Sequence, residues 1–280
     1  MKVLRPRLGE ITQGTIFNCA VADRYSSAKA YGLAITARCD IANDKFPVLN
    51  YLPVVSLFDW MHCDGLEILL ANGKKAANGS FENILKQADV APSVLIAIPR
   101  QEVVASFFDG ESAKAAHKKL STRAHELADL LDRLDAIDLN KVDDRNWLLG
   151  RFKKEGSTLV KDLMTNKVPS FYYLPSVTDQ NEGEGYVVLL RESAFLPRNV
   201  AKQVADGVDK PSVPQLLLEA HLSFKHDDFA MPVGRIPSPQ IEHILQTFSY
   251  MFGRIGLDDY DPEFIAGVSE RDFEIREGGA

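Results

Sequence analysis

The sequence predicts an α+β protein: a small, strongly curved antiparallel β-barrel-like domain, interrupted by a helical hairpin insertion and closed by a C-terminal helix. Three observations predict it. Short apolar and β-branched segments bounded by Gly, Asn, Asp and Pro crowd residues 1–100. Apolar residues then recur at three-and-four spacing between Glu111 and Ile137. Strand-like segments return after residue 168 and precede a last amphipathic stretch that begins at Ser238.

Each element has its own signal. "GTIFNCAVA", "GLAITARC", "VLNYLPVVSL", "LEILLA" and "SVLIAIP" read as strands, with "NGKKAANGS" as a turn-rich loop and Ser80 to Ala88 as a short helix. Ala113, Ala116, Leu120, Ala124, Leu127, Leu131 and Leu134 form one helical face. A second face carries Trp147, Leu148 and Phe152 and, past a break at Gly156, Leu159, Val160, Leu163 and Met164, so the two stripes bury each other as a hairpin. "PSFYYLPSV" and "GYVVLLRES" read as a β-hairpin around "TDQNEGEG", and "LLLEAHLSF" as a further strand. In the closing helix Ser238 caps, Pro239 suits the first position, and Ile241, Ile244, Leu245, Phe248 and Phe252 face a core. The expected divisions are 1–100 (first part of the β-rich domain), 101–168 (helical insertion), 169–257 (remainder with the closing helix) and 258–280 (acidic tail).

Composition bounds the function. With 280 residues, 45% of them hydrophobic, the chain can bury a sizeable core. Its 39 acidic against 32 basic residues give a charge of -7, which disfavours diffuse attraction to phosphate backbones and leaves room for a local basic groove. "MKVLRPRLGE" has no apolar core behind its basic residues, and no apolar run approaches the roughly 20 residues that span a bilayer. A cytoplasmic protein with no membrane contact is expected. Cys19, Cys39 and Cys63, odd in number and far apart, fit reduced thiols.

The densest chemistry is "TARCDIANDKF", Thr36 to Phe46. A turn needs few polar residues, and this one gathers Arg38, Cys39, Asp40, Asn43, Asp44 and Lys45. If the strand continues, Arg38 and Asp40 project to one side and Cys39 to the other. Arg38 then either forks onto an anion or pairs with Asp40, as Lys45 pairs with Asp44. Cys39 with His243 or His221 as base would make a nucleophile, but no nucleophile signature surrounds it, and buried packing is the plainer reading. Asp40 with Asp44, or His62 and Cys63 with Cys39, lack the spacing of metal sites, and no glycine-rich phosphate loop occurs, so neither metal nor cofactor is expected. The helix from Glu111 carries Lys114, Lys118, Lys119 and Arg123 beside His117 and His125, either a phosphate-tracking patch or a solvated face. His243 lies off the apolar stripe of the last helix, and Arg254 lies just past its end, able to meet terminal carbonyls or to add charge to a groove.

"GEITQGTIF" at Gly9 to Phe17, "YGLAITARCDIAND", "NYLPVVSL" and the helix after a Ser-Pro start resemble the MazF/PemK-like toxin family over roughly the first and last 60 residues. The helical insertion is unmatched, and "KAYGLAI" stands where the family carries an Arg-Pro pair. The resemblance implies a β-barrel homodimer that cleaves single-stranded RNA without metal. It implies Arg38 as the cation, with Thr36 or Ser56 as hydroxyl; Asp40 could serve as base, and Lys45 or Arg254 could add a second charge. The expected function is therefore a toxin-like or defence-associated effector acting on nucleic acid, an endoribonuclease whose partners are single-stranded RNA and an antitoxin or other protein. A non-catalytic module that docks a protein through the helical insertion is the alternative, and a cysteine hydrolase using Cys39 is a third reading.

Overall fold

The computed structural model describes residues 2–7, 9–109, 115–180, 185–213 and 215–252. Its strands are β1 (Thr15–Phe17), β2 (Tyr31–Ala34), β3 (Val48–Ser56), β4 (Phe171–Leu174), β5 (Tyr186–Leu189), β6 (Ala194–Pro197), β7 (Val208–Asp209), β8 (Phe229–Ala230) and β9 (Pro232–Arg235). The helices are α1 (Arg38–Ala42), α2 (Leu57–Trp60), α3 (Leu66–Gln87), α4 (Arg100–Val104), α5 (Ala115–Lys118), α6 (Ser121–Asp135), α7 (Val142–Arg151), α8 (Lys153–Met164), α9 (Arg198–Asp206), α10 (Leu216–Glu219) and α11 (Gln240–Phe252). The architecture is α+β: one antiparallel, strongly curved half-barrel sheet in the order β4-β5-β3-β2-β1-β9, with β6 on β3, and a helix near its C-terminal end. β7 and β8 form a separate ribbon.

β3 is the spine. Its first half pairs with β6 through Val48 to Tyr51, and its second half with β5 from Val54 to Ser56, while β2 runs along its other edge. Pro53 falls in the gap between those two partners, where its missing N–H costs no ladder bond on that edge. Opposite Pro53 stands Gly32, where an added Cβ would lie 2.2 Å from the Phe17 ring, so only glycine lets β1 and β2 close.

Strand alternation sends side chains to two buried faces. Ile16, Leu33, Leu52, Val54 and Val188 pack with Ile241 and Ile244 of α11. On the other face Phe17, Leu49, Tyr51 and Leu196 meet Val200 and Val204 of α9, while Val55 and Val187 meet the helices that follow β3.

Several expected elements are corrected. "LEILLA", read as a strand, and "NGKKAANGS", read as a loop, are both inside α3, of which Ser80–Ala88 is only the end. Leu66, Leu69, Gly73, Ala77, Phe81 and Ile84 are its buried face, a helical period that two Asn-Gly pairs disguise as turns. Gly73 belongs there because a Cβ would lie 2.8 Å from the Phe152 ring. After β3 the chain is thus helical from Leu57 through α2 and α3. "SVLIAIP" forms a 3-10 turn, Pro92–Ile96, that leaves Ile96 exposed, and "LLLEAHLSF" opens with α10. The break in the second helical stripe falls at Phe152, between α7 and α8, with Gly156 inside α8. The β4–β5 hairpin stands where it was expected; the closing helix carries the expected stripe but starts at Gln240, and the Ser238 hydroxyl donates to Glu242 rather than accepting a helix amide. Among the described residues, no helix is long and apolar enough to cross a membrane.

Candidate functional site

The strand before the Thr36–Phe46 loop ends at Ala34, so strand parity does not govern Arg38 to Asp40. They lie on α1, where residues two apart point about 200° from one another, so Arg38 and Asp40 diverge. Arg38 Nη2 donates to Glu242 Oε1 of α11 at 2.8 Å, and Ser238 Oγ donates to the same oxygen at 2.7 Å. The Ser238 bond and the Arg38 guanidinium hold the Glu242 carboxyl below its usual range. Arg38 therefore meets neither Asp40 nor a free space, but a carboxylate on the closing helix. Both partners are about half exposed, so solvent screens the pair and it adds little to stability.

The rest of the loop folds back on itself and onto α9. Thr36 Oγ1 accepts the Asn50 N–H at 2.7 Å, and Asn43 Nδ2 donates to the Cys39 carbonyl at 2.7 Å. Asp44, in the left-handed region at φ 53, receives Lys202 Nζ at 3.0 Å together with Arg198, and these cations lower its pKa; Lys45 is not its partner. Lys45 donates its backbone N–H to the Asp40 carbonyl, and its side chain is exposed.

Cys39 is exposed rather than packed, and its thiol contacts Asp40 Oδ1 at 3.7 Å. His243 Nδ1 is hydrogen-bonded to the Tyr172 hydroxyl at 2.9 Å, and His221 packs on Phe195, whereas the thiol of Cys39 meets Asp40. Arg254 lies outside the described residues. The loop is thus a tie between strand, α9 and α11, and its charges are brought to other elements rather than to one another. The helix-borne basic run is partly spent as well, since His125 Nε2 meets Asp109 at 2.6 Å. Among the described residues, no group of three or more His, Cys, Asp or Glu side chains could hold a metal.

A different concentration of chemistry lies at the junction of sheet and helices. Past α2 the chain makes a π-helical turn, Met61–Gly65, a widened turn of the kind often found at functional sites. It presents buried Asp64 to Arg24 Nη1 at 2.6 Å and to the Tyr25 hydroxyl at 2.5 Å, while Arg24 Nη2 reaches Glu67 at 2.7 Å. Burial and the Asp64 carboxylate raise the Tyr25 pKa far above its ordinary value, so this phenol is a fixed donor. Burial also raises the Cys63 thiol pKa, which makes it a poor nucleophile at neutral pH.

This network backs a cleft of about 680 Å³, a size that suits a small ligand. One part of its lining comes from Arg24 to Ala28 and from Phe58 to Glu67, the other from Leu139 to Asn146. Val142, Arg145 and Asn146, at positions i, i+3 and i+4 of α7, share the face turned to the cleft, while Asp144 and Leu148 are buried elsewhere. Asp144 is held by Arg133 and by the Asp138 N–H. Arg145 is mostly buried, yet it makes no ion pair with any described residue.

Sequence reasoning missed this site. Its residues come from three distant segments, and the polar face of α7 has the same pattern as a face turned to solvent. No family model, no curated protein and no solved structure matches the chain.

Proposed function

We propose that the protein is a nucleic-acid-directed effector, toxin-like or defence-associated, that works by gripping a phosphate-bearing strand in the Arg24–Arg145 cleft. The observation that carries this reading is Arg145. Arg24, Arg100, Arg133 and Arg198 are each paired with a carboxylate, whereas Arg145 is partly withdrawn from water with no ion-pair partner among the described residues. A guanidinium in that position gains most from a ligand oxyanion, which its donor fork matches in geometry. The carboxylates nearby are already engaged, Glu67 with Arg24 and Asp59 with Ser56.

Metal-independent RNA cleavage is the finer form of the same reading. It needs a cation and a base that face one phosphate, and the divergence of Arg38 and Asp40 on α1 supports binding over cleavage by that pair. An antitoxin or other protein partner and a homodimer belong to the proposal through the family resemblance, and a cytoplasmic setting through the composition of the sequence.

The test is fluorescence anisotropy of a single-stranded RNA at several salt concentrations. Arg145→Gln is expected to weaken binding about 10- to 100-fold, the scale of one lost charged hydrogen bond, and to make the log–log salt dependence shallower by about 1. Wild-type affinity in that variant would remove the reading.

A second reading is favoured by the groove between α3 and α8. Leu69, Phe152 and Leu159 form an apolar floor, and Lys154, Glu155 and Asp162 a charged rim, which is the anatomy of a protein interface. It is the non-catalytic module that docks a partner through the helical segment.

A further inference from the structure

The cleft carries two apolar side chains that water still reaches, and both are contributed to its lining. Phe58 is 69% exposed and Val142 is 59% exposed. Single exposed apolar residues are ordinary, but two of them lining one small concavity give the cleft an apolar clamp for a flat ring only if a ligand fills the space between them, and they stand among both polar and apolar neighbours. The Phe58 ring is backed by His62, with centroids 4.2 Å apart and planes tilted by 36°, and His62 Nδ1 is fixed by a 2.9 Å hydrogen bond to the Phe58 carbonyl. The aromatic face is therefore pre-oriented, at little entropic cost on binding.

Beside the clamp stands Asn146, whose side-chain amide makes no hydrogen bond with any described residue and so keeps both a donor and an acceptor for a ligand edge. Arg145 adjoins it on the same helical face.

We infer that this cleft binds a single nucleotide unit. Its base lies against Phe58 and Val142, the Asn146 amide meets the base edge, and Arg145 takes the phosphate. The inference rests on the reading of the cleft as a phosphate-binding site and adds to it the planar, hydrogen-bonding ring. A base inside a duplex is stacked and paired, so it cannot enter such a clamp without leaving its helix. The helical segment then has a definite role, because α7 supplies three of the four contacts.

The experiment compares three probes on the full chain: adenosine 5'-monophosphate, a short single-stranded RNA, and the duplex of the same sequence. Phe58 is exposed, so Phe58→Ala leaves the fold intact, and Phe58→Tyr retains the stacking face. The expected result is single-strand binding that Phe58→Ala weakens about 5- to 150-fold and Phe58→Tyr restores, with no Phe58-dependent binding of the duplex. Competition by the free monophosphate assigns the site to free nucleotides, and its failure beside Phe58-dependent strand binding assigns it to nucleotides within a strand; both support the inference. Strand binding that depends on Arg145 but not on Phe58 overturns the inference and leaves the phosphate reading standing. Absence of binding by all three probes overturns both.

Discussion

Trp60→Ala is expected to lower the free energy of unfolding by about 3–5 kcal/mol, as measured by urea denaturation. Trp60 is fully buried at the end of α2, where the chain leaves β3, and its ring meets Phe171 of β4 edge-on at 5.3 Å. It also belongs to the cluster that joins Leu66 and Leu69 of α3 to Val55 and Val187 of the sheet. Its removal therefore opens a cavity at the seam between sheet and helices, where both sides are held by their own hydrogen bonds and can collapse only in part. The indole Nε1 has no hydrogen-bond partner among the described residues. Trp60→Phe then loses ring volume but no polar contact, and less than half of the alanine effect is expected. If the phenylalanine variant is as damaging as alanine, the ring is not acting as a simple space-filler.

Asp64→Ala is expected to cost about 1–4 kcal/mol, since a buried hydroxyl left without its acceptor costs about 1–3 and a weakened half-exposed ion pair adds at most about 1. The hydroxyl is that of Tyr25, and the pair is the one with Arg24. Asp64→Asn retains an acceptor for Tyr25 and is expected to recover part of the loss. The two variants separate hydrogen bonding from charge. An Asp64→Ala protein as stable as the wild type in urea would show that the π-helical turn does not depend on this network. Because Arg24 stays tied to Glu67, the alanine variant is also expected to lose less affinity for RNA than Arg145→Gln does.

What was legible in the sequence follows the range of each interaction. "GTIF" and "YGLA" announce β1 and β2 because their apolar and β-branched residues have both faces buried, and the stripe of Ile241 and Ile244 announces α11 because it repeats at helical spacing. α3 was hidden by "LEILLA", too short an apolar run to show a period, followed by Asn-Gly pairs that favour turns in isolation and that tertiary packing overrides. The polar crowding from Arg38 to Lys45 was visible, but its pairing was not. Arg38 finds its carboxylate 204 residues away at Glu242, and Asp44 finds its cations 154 and 158 residues away. Local order cannot announce partners at that distance. The cleft was less legible still, since Arg24, Phe58 and Arg145 become neighbours only when α7 docks beside the α2–α3 junction.

Photo-crosslinking tests the central claim most directly. A single-stranded RNA carrying a photoreactive base analogue is irradiated on the protein, and the attached residues are located by peptide mass spectrometry. The cleft account predicts adducts within residues 58–62 and 139–146, strongly reduced together by Arg145→Gln. Adducts confined to residues 36–46, or adducts in the cleft that persist undiminished in the Arg145→Gln protein, would contradict it.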